Sequence, residues 1–521
     1  GSRSQVYTAP MSKHPYSLIF LLAAAFFGWV HATPAFGDPD AYYHLEMARR
    51  TAVSGPVLEF PWLPFTTLSE HFADHHFLYH VALIPFIVAF GDFLGLKIAT
   101  VVFAALAVAI FAFLLKEYGA NRPFLWTPLL FFAPGFVFRL LLTKATALAL
   151  VAFFLYLVAL RRRNRLAVFG IACAYVWLHG GWPILAVVAL LHALLFKPTK
   201  IHDREEMKIW ELSAATFLGL LIGLVINPFF PENLSFYWEQ IVQIAVIGRR
   251  DAAVLVGNEW YPPEFAAVFL GNASVFLPPA LAVAAFAAAI WTGQSARAES
   301  APSAARRKDI VFTSALALLF LLMTLRQARH KEYFLPLAFL AGTLVAETAF
   351  AAVDLRALSV RLGARLGRLF IPSAFALSAV ACIFAAISLW LPRLAYVDRP
   401  AFTRFESMGA WTRAHVPEGE TIFHARWDDF PELFYRDSRH AYVAGLDALF
   451  LYRKDPRKYW LWRDIGEGRR REALAELITQ EFGARYVSLR MGPDPLRSLI
   501  KKDPSFERVY ADAEAEVWKI R

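Results

Sequence analysis

From residue 97 to residue 391 the chain is a succession of apolar runs, with charge largely confined to the gaps between them. Runs at 97–115, 124–142, 146–160, 165–178, 182–196, 211–229, 264–290, 310–325, 333–350 and 370–391 follow an earlier one at 17–36. A helix that crosses a bilayer needs about 20 mostly apolar residues. The pattern therefore predicts a polytopic α-helical membrane protein with about eleven transmembrane helices. Composition agrees. Hydrophobic residues are 58% of the chain and charged residues 18%, against about 45–50% and about 25% in soluble proteins. Disordered, collagen-like and disulfide-framed classes are excluded. Cys173 and Cys382 both lie inside apolar runs.

Residues 1–10 read as a non-native leader, with Met11 as the start, and are set aside from the fold. The run at 17–36 also admits a cleaved signal peptide, because Ala32, Thr33, Pro34 and Ala35 include small residues. The charge pattern favours its retention. The net charge of +10 would point to nucleic acid in a soluble domain. Here it is first a topology signal, because cytoplasmic loops carry an excess of Lys and Arg. With a cytoplasmic N-terminus, the inner loops are 116–123, 161–165, 197–208, 291–309 and 351–369. They are strongly basic, most clearly at Arg161, Arg162, Arg163 and Arg165, and at Arg356, Arg361, Arg365 and Arg368. The parity closes if 77–95, which contains Pro85, does not cross.

Residues 11–395 then form the membrane domain, with outer loops at 37–96 and 230–263. Residues 396–521 lose the apolar runs and form a small C-terminal α/β domain on the outer side. Helical patterning at 410–415 and 472–479, and strand patterning at 421–424, 486–489 and 517–520, support it. This domain is nearly neutral, so most of the excess charge is orientation and no nucleic-acid partner is expected. The expected location is a prokaryotic inner or plasma membrane, with the active site and C-terminal domain extracytoplasmic.

The first outer loop opens with Gly37-Asp38-Pro39-Asp40-Ala41-Tyr42-Tyr43-His44. Pro39 fixes the local backbone and holds Asp38 extended, so both acids stay at the membrane face. Such carboxylates can hold a divalent metal or act as a base towards a hydroxyl or amide. They can also simply cap a helix that starts near Ala41. The same loop carries Asp74, His75 and His76, with His80 a helical turn further on. Mixed His and carboxylate donors suit Zn, Mn or Fe. A phosphate-binding or base role, and a purely structural one, stay open.

Arg139 and Lys144 stand at the outer end of the third run. Cations at membrane depth mark functional sites by default, with snorkelling as the competing account. Glu259 ends the second outer loop in a Pro and aromatic frame, with Arg249 and Arg250 earlier in it. Arg326, Arg329, His330 and Lys331 fall on the outer side, where the charge rule disfavours them. An anionic ligand such as a lipid phosphate accounts for that. In the C-terminal domain, Trp427, Asp428 and Asp429 form either a cap and core element or a substrate-facing edge.

Together these residues resemble the GT-C glycosyltransferases, and within them the catalytic subunits of oligosaccharyltransferases. The family's outer-loop motif of an acid, one residue and Tyr-Tyr-His stands here as Asp40-Ala41-Tyr42-Tyr43-His44. The arginine stretch before a late span resembles the stretch from Arg326 to Tyr333. The family's loop glutamate resembles Glu259, and its Trp-Trp-Asp-Tyr-Gly motif has a degraded counterpart in Trp427-Asp428-Asp429. The resemblance implies a sugar or glycan moved from a polyprenyl phosphate or pyrophosphate to a protein, glycan or lipid acceptor. It implies Asp40, with Asp38, as metal-binding or acceptor-activating acid. It assigns Glu259 as the loop acid and Arg326 or Arg329, assisted by His330, to the donor phosphate. Where the family has a second acidic motif, this chain has Arg139, Thr143 and Lys144. Either Asp74, His75 and His76 complete a Mn or Mg site with Asp40, or Lys144 does the electrostatic work without a metal. The degraded tryptophan motif puts Asn-linked transfer in question and brings forward single-sugar transfer to a lipid, glycan or Ser/Thr hydroxyl. The reading from another class is a lipid-linked saccharide transporter, against which stands the absence of an internal repeat.

Overall fold

The structure is a computed structural model and describes residues 15–196, 204–247, 254–294, 302–397 and 399–521. The leader, Arg249 and Arg250 lie outside the described residues. Among the described residues, five helices are long and apolar enough to cross a membrane: Asp92–Glu117, Phe265–Trp291, Ala304–Arg326, Ala328–Ala352 and Leu355–Leu394. Pro123–Phe132 and Pro134–Leu140 together make a sixth, bent by 88°. The bend falls where Pro134 forces Ala133 out of helical geometry, to φ −110 and ψ 80.

The expected eleven spans are thus corrected to five or six. The other apolar runs form shorter helices, Pro15–His31, Phe77–Phe90, Thr146–Arg161, Arg165–Leu178, Pro183–Phe196 and Trp210–Val225. A helix of 14 residues such as Phe77–Phe90 reaches about 21 Å, short of the roughly 30 Å hydrocarbon layer.

Burial sorts these helices. Thr146–Arg161 is apolar on all sides and is buried along most of its length, from Thr146 to Leu160, as a helix at the centre of a bundle must be. Phe370–Leu394 is equally apolar, yet Ile371, Phe375, Leu377 and Val380 are exposed. That surface suits a lipid-facing helix. The two ends of Thr146–Arg161 lie in different polar layers. At one end Arg161 pairs with Asp309 at 2.9 Å. The other end follows directly on Lys144 and the candidate site.

The C-terminal part carries a mixed five-stranded sheet. Its strands are β1 (Thr421–His424), β2 (Ala441–Tyr442), β3 (Ala484–Arg490), β4 (Phe506–Ala511) and β5 (Ala515–Ile520), in the order β2-β1-β3-β5-β4. β1 runs parallel to β2 and β3, and β5 antiparallel to β3 and β4. Helices Glu406–His415 and Leu474–Phe482 flank it. The three strands predicted from sequence are present, and β2 and β4 are additional.

This part sits on the loop that carries the first acids. Phe402 packs between Phe36 and Phe93, with ring centroids 4.7 Å away on each side. The Trp62 indole donates to Ser438 O at 2.8 Å, and Tyr442 N–H donates to Trp62 O at 2.8 Å. The Tyr435 hydroxyl donates to Asp92 at 2.8 Å. The Asp38–Asp40 segment is therefore held between the membrane helices and the sheet.

Candidate active site

Pro39 precedes helix Asp40–Ser54 at φ −64, the value its ring imposes. Asp38 Oδ1 accepts from Asp40 N–H at 2.9 Å, which closes an Asx-type turn. Capping thus explains part of Asp38. It leaves the Asp40 side chain directed into a cavity of about 120 Å³ that Arg139, Lys144, Glu259, Arg329 and Asp447 also line.

Lys144 enters from the turn between Pro134–Leu140 and Thr146–Arg161. Its Nζ stands 2.8 Å from Asp40 Oδ2 and 3.2 Å from Asp38 Oδ2. Arg139, buried at 7% exposure, donates from Nε to Glu332 at 2.9 Å and from Nη1 to Glu259 at 3.1 Å. Glu259 also faces Arg329 at 3.8 Å. The short helical turns Asn258–Trp260 and Ala328–His330 present these two, tied by Ala328 N–H donating to Tyr261 O at 2.9 Å. The Arg329 guanidinium lies 4.3 Å from the centre of the Trp260 ring, a cation–π distance.

Burial pushes the Asp40 carboxyl up to about 6, with Lys144 opposing and Asp38 adding to the rise. Burial disfavours the Lys144 charge as well, but Asp38, Asp40 and Glu259 outweigh it and hold the ammonium above its ordinary range. For Glu259, burial is outweighed by Lys144, Arg329 and Arg139, which keep its carboxyl well below the usual value. The cavity thus holds a carboxyl that titrates at about 6 beside fixed charges of both signs.

His75 and His76 line the same cavity as Asp40, but Asp74 does not. Asp74 Oδ2 bonds His80 Nδ1 at 2.6 Å, and Asp74 Oδ1 accepts from His76 N–H at 3.1 Å. His76 Nδ1 bonds Leu178 O at 3.2 Å. Among the described residues, no three His, Cys, Asp or Glu side chains converge as metal ligands. The expected set of Asp40, Asp74, His75 and His76 is corrected accordingly, because neighbours in sequence here point to different partners. Between Asp38 and Asp40, where a divalent ion would find two carboxylates, the Lys144 ammonium stands instead. That carboxylate pair, occupied by Lys144, does not fit a divalent metal.

Tyr43 and His44 line the same cavity. Tyr42 does not. It lines a separate pocket of about 160 Å³ with Asp38, Arg404, Asp428 and Arg490. Asp428 and Asp429 both pair with Arg490, and Trp427 packs near Gly257. Of the late basic stretch, Arg329 lines the first cavity, whereas Arg326 is exposed and away from it. His330 lines a further cavity of about 290 Å³, mostly apolar, walled by Ile184, Val187, Leu319 and Phe320. That cavity shares His75, His76, His179, Trp260 and Arg329 with the first.

Sequence reasoning missed Glu332 and Asp447. Glu332 was legible in principle, since a buried arginine at membrane depth requires an acid. Asp447 comes from the C-terminal part. Burial pushes its carboxyl up to about 7, against backbone N–H donors of Leu449 and Gly257. Nothing in its local sequence marks it beyond an Asx-type turn, its Oδ1 accepting from Leu449 N–H at 2.9 Å.

No family model and no curated protein sequence matches the chain. Solved structures do. The archaeal oligosaccharyltransferase AglB from Archaeoglobus fulgidus, in complex with an inhibitory peptide and a dolichol-phosphate, aligns at TM-score 0.62 and 13% identity. The alignment covers 92% of this chain and 70% of that one. ArnT from Cupriavidus metallidurans, bound to undecaprenyl phosphate, aligns at TM-score 0.56 and 14% identity, over 97% of this chain and 98% of that one. The arabinofuranosyltransferase AftD from Mycobacteria aligns at TM-score 0.54 and 14% identity, over 98% of this chain and 42% of that one.

Proposed function

The chain has the fold of the GT-C glycosyltransferases, and on that premise we propose that it is an integral membrane glycosyltransferase. It takes a sugar or oligosaccharide from a polyprenyl phosphate or pyrophosphate and passes it to an acceptor on the extracytoplasmic side of the membrane. One observation carries this reading: Arg329 and Trp260 line both the polar cavity and the apolar one. An amphiphile with an anionic head and an apolar tail fills both at once. ArnT was solved with undecaprenyl phosphate and AglB with a dolichol-phosphate, ligands of that shape.

The chemistry is a substitution at the anomeric carbon. The acceptor's hydroxyl or amide forms the new bond as the bond from that carbon to the phosphate oxygen breaks. The bonding pair leaves on the phosphate, and the acceptor's proton goes to Asp40. Lys144 and Arg329 face the charge that grows on the leaving group, where fixed cations in a poorly hydrated site act most strongly. Glu259 and Glu332 hold the guanidinium groups in place. Asp40, with its carboxyl at about 6, is ionised and near its operating pH at neutrality, as a general base requires. No step passes through a metal.

The test is transfer from a polyprenyl-phosphate-linked sugar by purified D40A and R329A variants. Loss of at least about 100-fold in each is expected; undiminished transfer by either overturns the reading.

A second reading within it is single-sugar transfer from a polyprenyl monophosphate. Its monophosphate carrier is favoured by the near end-to-end match with ArnT, solved with undecaprenyl phosphate, over 97% of this chain and 98% of that one. Comparing monosaccharide with oligosaccharide donors separates the two.

A further inference from the structure

Behind the cavity runs a buried chain of three side chains that the transfer chemistry above does not use. Asp74 Oδ2 bonds His80 Nδ1 at 2.6 Å, and His80 Nε2 bonds His44 Nδ1 at 2.8 Å. All three are almost fully buried, at 2%, 0% and 3% exposure. His44 ends the chain at the cavity wall, one helical turn beyond Asp40.

Proton bookkeeping fixes the direction. Asp74 Oδ1 accepts from His76 N–H and Oδ2 faces His80 Nδ1 at 2.6 Å; with Asp74 taken as a carboxylate, it only accepts. His80 Nδ1 must then carry a proton. A neutral imidazole has one donor and one acceptor nitrogen, so His80 Nε2 is bare and accepts from His44 Nδ1–H. That leaves His44 Nε2 bare, and no protein donor reaches it among the described residues. A neutral His44 agrees with its burial, which together with His80 and His76 holds its pKa well below the ordinary value.

We infer that Asp74 and His80 lock His44 in the Nδ1–H tautomer, so that Nε2 is a fixed hydrogen-bond acceptor for a hydroxyl group of a saccharide in the cavity. A carbohydrate hydroxyl is the chemistry that matches, since phosphate oxygens are acceptors themselves and would be repelled by a bare nitrogen. The hydroxyl belongs to the donor sugar or to the acceptor. The inference takes its ligand from the transferase reading. Asp74 and His80 are positioning residues within it.

The test is D74N, which keeps the volume and keeps an oxygen for His76 N–H, while its amide can donate to His80 Nδ1. That reverses each bond in the chain and puts a proton on His44 Nε2. Nitrogen resonances of His44, from protein labelled at histidine, should change from the Nδ1–H to the Nε2–H pattern. Transfer should fall about tenfold or more. A rise in KM for the sugar donor assigns the hydroxyl to the donor sugar, and a rise for the acceptor assigns it to the acceptor. Binding of unglycosylated polyprenyl phosphate should stay within about twofold. H44Q, which can present an oxygen, should retain more activity than H44L. Unimpaired transfer by D74N, or a protonated Nε2 in the unmodified protein, overturns this inference and leaves the transferase reading standing. If instead the unmodified protein transfers nothing, the transferase reading fails. His44 is then tested by whether D74N weakens binding of the glycosylated lipid relative to the bare lipid, and equal weakening overturns the inference.

Discussion

Lys144 Nζ stands 2.8 Å from Asp40 Oδ2 and bridges to Asp38 at 3.2 Å, so the proposed base and the nearest cation form one ion-paired unit. Two consequences separate this arrangement from a metal site. Replacing Lys144 with Met should cut transfer by at least about 100-fold, and added Mn or Mg should not restore it, because among the described residues no third metal ligand converges with Asp38 and Asp40. K144R should recover only part of the activity, since a planar guanidinium cannot take the place of a compact ammonium. Steady-state transfer rates with and without metal decide it; rescue by Mn to the unmodified level would contradict the assignment.

The Asp40 carboxyl, raised to about 6, predicts an acid limb. The base must be ionised, so kcat/KM should rise with pH through about 6 and then level off. K144M should move that limb to higher pH, because the ammonium is what opposes burial. For stability the sign is opposite. A carboxyl raised above its ordinary 3.8 binds its proton more tightly when folded. Its stabilising contribution is therefore full below about pH 4 and is lost as pH rises through about 6. A pH–rate profile of the unmodified protein and of K144M checks the first statement. An acid limb that does not move in K144M would remove Asp40 as the titrating group.

Arg139 and Glu332 are a buried pair, at 7% and 3% exposure. Breaking it by E332Q strands a guanidinium with only Glu259 left, at 3.1 Å. The expected cost is about 3–5 kcal/mol, read as a lowered thermal unfolding midpoint in detergent. The double change R139L and E332L removes both charges together and should be less destabilising than E332Q alone. If the double variant is the worse of the two, the Arg139–Glu259 contact at 3.1 Å outweighs the Arg139–Glu332 pair.

Much of this site was legible because charge is so sparse in an apolar chain. Asp40, Arg139, Lys144, Glu259 and Arg329 each stood beside an apolar run, and the fold brings all five to one cavity. Span counting fared worse. Hydropathy registers composition, whereas crossing depends on uninterrupted helix, and Pro134 bends one run by 88°. The run 77–95, read as not crossing, does break at Gly91, φ +78, between the short helix Phe77–Phe90 and the long one from Asp92. The Asp74, His75 and His76 cluster was legible in part, since His75 and His76 do line the cavity. Adjacent residues there diverge, and Asp74 turns to His80, six positions on. Asp447 was illegible because its place in the cavity depends on how the C-terminal part docks on the first loop.

Asp447 reaches the cavity from a tight turn whose backbone can be tested. Asp447 N–H donates to Gly445 O at 2.6 Å, and the residue between them, Leu446, has φ +61. A γ-branched residue in that region costs about 1–2 kcal/mol. Gly445 is fixed by packing, since a Cβ there would be driven into the Phe430 ring. G445A should therefore lower stability by about 1–3 kcal/mol and reduce transfer by displacing Asp447. L446G should hold or raise the unfolding midpoint by relieving the turn, while L446V should lower it, because a β-branched residue tolerates positive φ least. Unfolding midpoints of the three variants, with transfer rates measured below them, check the series. A G445A protein as stable and as active as the original would show that the turn does not hold Asp447 in the cavity.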